Sequence, residues 1–292
     1  MELALKAALT ASLVTVMILA ADRLGEWLAG LLSGLPLTTA PALLLIGHAH
    51  GLAAAADAAV GGVVGCGLAS VFALAYHGAA RLLSPAPTLL LAIACTALGV
   101  SVLGQLSLSL VDAGVVTCAG TVGALLFIRI PVVVPHTFAR RRPRGAWPAL
   151  AIGLISAVVS TVVIEMNASL AGIVAAMPMI GVATVASCHA TRGRAAVPRY
   201  LRGYVVSSLA KAAFCAAFAV SVVAQGTAVA LLFACALGGL VCVVAFAFRR
   251  LREARIALGP LVTLFFTDLE PCMTPRCRSM SRRPTCGTKG AP

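Results

Sequence analysis

Apolar runs of about 20 residues, each long enough to cross a bilayer as a helix, follow one another along this chain with only short loops between them. Nine can be drawn, with approximate limits 3–21, 26–49, 54–77, 87–106, 110–134, 147–165, 170–188, 203–223 and 227–248. Runs of this length are not the alternating strands of about 10 residues that build a membrane barrel. Helices are then the spanning form that satisfies its own backbone in lipid. Composition argues against a soluble fold. Of 292 residues, 61% are hydrophobic and 11% charged, with mean hydropathy +1.03; a soluble domain has about 45–50% and about 25%. Too few polar side chains remain to cover the surface such a fold exposes.

The formal net charge of +13 could signal nucleic acid, but the arginines sit in clusters between apolar runs, which points to topology. Loops after odd-numbered runs hold Arg23, Arg81, Arg140-Arg141-Arg142 with Arg144, then Arg192, Arg194, Arg199 and Arg202. Arg249, Arg250, Arg252 and Arg255 follow the ninth run, and the opposite side carries Lys6 alone. The positive-inside rule then predicts an N-terminus outside and a cytoplasmic C-terminus in the cell (inner) membrane. Trp27, Trp147, Tyr76, Tyr200 and Tyr204 fall near the cytoplasmic ends, where interfacial anchors are expected. The first run could instead be a signal peptide ending at Ala20-Ala21, but it has an internal counterpart and is read as a span. Of ten cysteines, Cys66, Cys95, Cys118, Cys188, Cys215, Cys235 and Cys242 lie inside apolar runs. There Cys acts as a small hydrophobe, and no disulfide framework follows.

The chain also repeats itself, a sign that decides architecture. Residues 29–51 read AGLLSGLPLTTAPALLLIGHAHG and residues 171–193 read AGIVAAMPMIGVATVASCHATRG. Without a gap, Ala29, Gly30, Pro36 and Gly51 meet Ala171, Gly172, Pro178 and Gly193, each pair 142 residues apart. The same offset lays the first, third and fourth runs on the sixth, eighth and ninth. The fifth has no counterpart, so it links two four-helix units of opposite orientation. The expected fold is an all-α polytopic bundle of about nine transmembrane helices. Its parts are a first repeat (1–108), a linking helix with a basic cytoplasmic loop (109–146), a second repeat (147–250), and an interfacial segment with a cytoplasmic tail (251–292). Inverted repeats of this kind recur in secondary transporters, with the site near the midplane between them.

Trp27-Leu-Ala-Gly-Leu followed by Pro36, Gly47 and Gly51 resembles the motif of the GlpM-like small integral membrane proteins and of a wider set of bacterial membrane proteins. The likeness covers runs one to four and rests on small residues. The second copy matches through Ala171, Gly172, Pro178 and Gly193, and this chain carries two units rather than one. The resemblance implies a membrane location and no particular activity.

Several residues could carry chemistry. Pro36 and Pro178 occupy matching places, and proline interrupts a helix by removing a donor and clashing one turn back. Thr38 and Thr39 lie between Pro36 and Pro41, where their hydroxyls could meet freed carbonyls or a ligand. Interrupted segments in matching positions point to a transporter site; kinks that serve packing alone are the plainer reading. Lys211 falls roughly 12 Å into the eighth run at 1.5 Å per residue, close to the middle of an apolar core about 30 Å thick. It is either a cation for an anionic substrate or a proton carrier, or half of a structural ion pair. Its counterpart is Ala69. Asp57 and Asp112 stand near outer helix ends, as vestibule or coupling-ion groups or as solvated acids favoured by the helix dipole. His48 and His50, two apart on a helix, face different ways and make a poor metal pair. His189 has no evident partner.

Ile256 to Phe266 is apolar but too short to span, and reads as interfacial. The tail from Asp268 holds Cys272, Cys277 and Cys286 at spacings that fit no zinc motif, in a composition that predicts disorder. No cofactor and no nucleotide loop is indicated. Three functions stay open: a secondary transporter for a small, anionic molecule with a coupling ion; a scaffold or assembly subunit; and a membrane-embedded lipid-modifying enzyme. The expected partners are the bilayer, a small-molecule substrate and another copy of the chain, with no nucleic acid. The scaffold reading rests on a small-residue face, Gly62, Cys66, Ala69 and Ala73, suited to close helix contact.

Overall fold

The structure, a computed structural model, describes residues 26–33, 35–36, 39–129, 168–176 and 179–267. The runs 3–21 and 147–165, the loop arginines Arg23 and Arg140 to Arg144, the residues Thr38 and Pro178, and the tail from Asp268 lie outside the described residues. Every described element is an α-helix: α1 (Glu26–Ser33), α2 (Thr39–His50), α3 (Leu52–Ala79), α4 (Pro85–Leu103), α5 (Leu110–Phe127), α6 (Ala168–Ala175), α7 (Met179–Arg192) and α8 (Val197–Thr267). Among the described residues, four stretches are long and apolar enough to cross a membrane: α3, α4, α5, and α8 over Val197–Leu251.

Local chemistry accounts for the helix ends. Ser84 precedes α4 and Pro85 takes its first turn, where a missing N–H costs nothing. Ser109 and Asp112 close a capping box at α5, each satisfying a backbone N–H of the other. Gly51 and Gly193 follow α2 and α7 with φ of 89° and 79°. Each N–H reaches back four residues, to the carbonyls of Gly47 and His189, at 3.1 Å in both cases. Positive φ is cheap only for glycine, so each glycine lets the chain leave its helix where another residue would be strained. Gly226, with φ 78° and ψ 168°, breaks the helical geometry inside α8. Beyond it the chain doubles back: a Cβ on Gly238 would stand 3.1 Å from the Ala210 carbonyl and 3.2 Å from Phe214 Cβ.

The helix α3 is central, with 78% of its apolar window buried against 17% in α4 and 22% in α5. Its neighbours meet it through small and hydroxyl residues. Thr117 Oγ1 donates to the Val63 carbonyl at 2.7 Å, and the Ser70 and Thr121 hydroxyls pair at 3.4 Å. The face Gly62, Cys66, Ala69 and Ala73 is buried within the chain itself. The outward faces of α4, α5 and the part of α8 after Gly226 are apolar, with Leu90, Leu98, Val111, Leu126, Leu232 and Leu240 all exposed. An apolar exterior around a polar-stitched interior suits lipid and not water.

Two expectations are corrected. Tyr76, Tyr200 and Tyr204, read as interfacial anchors, are 0%, 1% and 2% exposed, because each lies on the face of its helix turned to the core. His189 has a partner after all, the Tyr76 hydroxyl at 3.3 Å from Nδ1. Ile256 to Phe266 is helical, the last part of α8. The chain divides into two compact units, Met1–Ala245 and Phe246–Pro292. In the second, the Arg250 guanidinium lies 5.3 Å from the Phe246 ring centroid.

Candidate functional site

The site is built from two interrupted helices, α1–α2 and α6–α7. The first half of each crosses a long helix from the other half of the chain, and at each crossing a glycine lets backbones touch. A Cβ on Gly30 would overlap the Tyr200 carbonyl oxygen and stand 2.8 Å from Tyr204 N in α8. A Cβ on Gly172 would overlap the Ala58 carbonyl oxygen and stand 2.5 Å from the Ala58 carbonyl carbon in α3. Gly30 and Gly172 are 142 residues apart, and so are Ala58 and Tyr200. The two contacts are therefore reciprocal: one element of each half meets the same partner element of the other.

The crossings bring the two interruptions together. Thr39, the first residue of α2, is buried and donates its hydroxyl to the Ala175 carbonyl, the last of α6, at 3.2 Å. Lys211 Nζ, 4% exposed, donates to the next carbonyl, Ala176, at 3.4 Å. This contact is long for a hydrogen bond. The end of α6 presents unpaired carbonyls and the negative end of a helix dipole, which draws a cation to that place. Tyr200 ties the other pair of ends. Its hydroxyl donates to Ser33 Oγ at 2.7 Å, at the end of α1, and lies 3.3 Å from the Gly181 carbonyl, near the start of α7. Ser33 and Ser207 both donate to the Gly30 carbonyl, at 2.8 and 3.3 Å.

Of the residues expected at a site, Lys211 and Thr39 are thus brought together on adjacent carbonyls. Pro36 is half-buried in the turn before α2, where its carbonyl accepts from Ala40 N at 3.0 Å. Asp57 is exposed and apart from this cluster. Asp112 is engaged in the α5 cap, with Ser109 Oγ at 2.7 Å from its carboxylate. His48 and His50 are exposed. Among the described residues no carboxylate pairs with Lys211 and no group of three or more His, Cys, Asp or Glu residues is placed to hold a metal.

Sequence reasoning missed the neighbours of Lys211. Cys66 and Cys215 are fully buried in one hydrophobic cluster, with Cys215 one turn beyond Lys211 on α8. Ser33, Ser207 and Thr184 are buried polar groups of the same region. A signal did exist. Tyr200, Tyr204, Ser207, Lys211 and Cys215 follow one another at steps of three and four, the spacing of a single helix face.

At one end of the assembly, Arg192 Nη1 pairs with Glu26 at 3.2 Å. Arg194 donates to the carbonyls of Arg81 and Leu82 at 3.0 and 3.2 Å. Burial first, and the Arg194 guanidinium second, hold the nearby His189 imidazole below the usual histidine value. Compared with known proteins, the chain matches no family model, no curated sequence and no solved structure.

Proposed function

We propose that this protein is a secondary transporter or permease for a small, anionic molecule in the cell membrane. In this reading nine helices form two inverted four-helix repeats joined by a linking helix, with the N-terminus outside and the C-terminus cytoplasmic. The reciprocal Gly30–Tyr200 and Gly172–Ala58 crossings support the repeat, because a two-fold relation exchanges contacts in just this manner. The shared stop at Gly51 and Gly193 supports it independently. The clustering of Arg81, Arg192 and Arg194 at one end supports the orientation.

One observation carries the functional reading. A buried lysine stands where two interrupted helices meet, and a weak carbonyl contact is its hydrogen bond. A lysine at the centre of a spanning helix costs about 2.5–3.5 kcal/mol on insertion scales. Among the described residues no acid offsets that cost structurally, so an anionic group of a ligand is the natural counter-charge. Interrupted helices supply the remainder of such a site, with donor N–H groups at the starts of α2 and α7 and carbonyls at the ends of α1 and α6. The burial of the small-residue face inside the chain removes the feature on which the scaffold reading rested.

The test is thermal unfolding of the detergent-purified protein against a panel of small carboxylates, phosphates and sulfonates, run beside Lys211→Met. A ligand at 100 times its Kd adds about 2.7 kcal/mol. We expect such a shift in the parent and none in Lys211→Met, whose own melting temperature should equal or exceed the parent's, since a buried amine is removed. An unchanged ligand shift in Lys211→Met overturns the assignment.

A further inference from the structure

The two ends of the assembly are closed by different means. At the arginine-rich end the start of α1 is tied to the end of α7 by the Glu26–Arg192 pair at 3.2 Å. Arg194, just past α7, donates to the carbonyls of Arg81 and Leu82 in the turn after α3, at 3.0 and 3.2 Å. Between this end and Lys211 come buried rings. Phe72 and Tyr76 of α3 have centroids 5.7 Å apart, and Phe72 meets Tyr204 of α8 edge-on at 6.5 Å. Tyr200, also buried, stands one turn before Tyr204. At the offset of 142 residues, Phe72 and Tyr76 fall on Phe214 and Phe218, whose rings stack with centroids 6.4 Å apart beyond Lys211 on α8. The other groups have no such counterpart. Tyr200 and Tyr204 fall on Ala58 and Gly62, Glu26 and Arg192 on Ala168 and His50, and Arg194 on Leu52. The end of α2 meets α8 by apolar contact, since a Cβ on Gly47 would stand 3.6 Å from Thr227 Cγ2.

We propose that Glu26, Arg192 and Arg194 form a latch that keeps the path from Lys211 to the arginine-rich end shut, so that the site opens first to the opposite end. The latch rests on the transporter reading above, because it needs a path to close. To part the arginine-rich end, an ion pair and two charge-assisted hydrogen bonds must break and packed aromatic rings must separate. To part the opposite end, apolar contacts alone must give way at the matching positions. In an inverted repeat the two halves exchange conformations between the two open states. Residues that break the repeat are then the ones that set which state is favoured. An ion pair at a partly exposed position changes such an equilibrium by up to about fivefold. That is enough to bias the protein towards one side and weak enough to break in every cycle.

The test uses the full chain with its ten cysteines replaced by alanine, in sealed vesicles of both orientations. Thr39→Cys is the reporter at the site, Ser207→Cys is a second reporter, and the exposed Ala195→Cys marks the arginine-rich side. The probe is a charged, membrane-impermeant methanethiosulfonate applied from one side. The reporter should react faster from the side opposite the arginines. Glu26→Gln and Arg194→Gln should each speed its reaction from the arginine-rich side by about two- to fivefold, with no gain from the other side. Reversal of the pair, Glu26→Arg with Arg192→Glu, should restore the slow rate that Glu26→Arg alone loses. An unchanged rate from the arginine-rich side in the chain carrying both glutamines, an equal rise from both sides, or no reaction from either side in any variant overturns the proposal. A second measurement closes the latch instead. Glu26→Cys with Arg192→Cys, joined as a disulfide before labelling, should hold the arginine-rich side at or below its original rate and leave the other side reactive. Loss of reactivity from the opposite side also overturns it. Lys211 is untouched in every variant, so the thermal shift that tests the anion reading stays measurable, and failure of the latch leaves that reading standing. Absence of any ligand shift with the labelling pattern intact would fault the ligand and not the latch.

Discussion

Gly30→Ala and Gly172→Ala test the reciprocal crossing on which the site is built. At Gly30 the added methyl would overlap the Tyr200 oxygen and stand 2.8 Å from Tyr204 N and 3.0 Å from the Tyr200 carbonyl carbon. At Gly172 it would overlap the Ala58 oxygen and stand 2.5 and 2.8 Å from the Ala58 carbonyl carbon and Cα. Carbon atoms rest about 3.5–4.0 Å apart, so each pair of helices must part by about 1 Å. The obstacle is backbone, which no rotamer change can move aside. Overpacking costs about 1–3 kcal/mol, and a gap of about 0.5–1 Å forfeits a quarter to a half of each neighbouring contact. Against this, alanine gains about 0.8–1 kcal/mol over glycine inside a helix. The net loss is about 2 kcal/mol per substitution, or roughly 4–8 °C at 2–4 °C per kcal/mol for a chain of this size. Gly114→Ala is the control, since nothing lies within 4 Å of its Cβ position; only the propensity gain applies, and its stability should hold or rise. The assay is the fraction of monodisperse protein surviving a temperature series in detergent, read by size-exclusion chromatography. If Gly30→Ala and Gly172→Ala survive as well as Gly114→Ala, the backbone contact is wrong and the paired interruptions lose their geometric basis.

Tyr200→Phe should cost about 0.5–1.5 kcal/mol, because its hydroxyl donates to Ser33 at 2.7 Å in the core; an unchanged melting temperature would remove Tyr200 from the network. Asp112→Ala should cost about 0.5–2 kcal/mol as a lost cap and leave any ligand-induced thermal shift intact. Disappearance of that shift in folded Asp112→Ala would instead make the carboxylate a coupling-ion group. Acidification should destabilise the protein through His189. Its folded value lies below the unfolded value of about 6.5, so its contribution is present above about pH 6.5 and fades as pH falls towards the folded value. Melting temperatures at pH 7.5 and 5.5 should therefore differ more in the parent than in His189→Gln, and equal differences would count against this account.

The sequence by itself determined what near neighbours decide. Helices cover the runs expected at 26–49, 54–77, 87–106, 170–188 and 203–223, since apolar length and composition act locally. The helix stops at Gly51 and Gly193 were visible as aligned glycines, and the interruption before Thr39 as a proline. Lys211 stood out because a charge within an apolar run is costly wherever the run ends up. Tertiary structure alone decided which faces meet. Tyr76, Tyr200 and Tyr204 passed for interfacial anchors because depth along a helix can be counted from the sequence, whereas rotation about its axis depends on neighbours from distant parts of the chain. The Thr39–Ala175 bond joins residues 136 positions apart, and the Lys211–Ala176 contact joins residues 35 apart. No local periodicity encodes such pairs. They exist because two glycines allow backbone contact at two crossings, which brings the end of α6 close enough to α2 and α8 for a threonine hydroxyl and a lysine to reach its carbonyls.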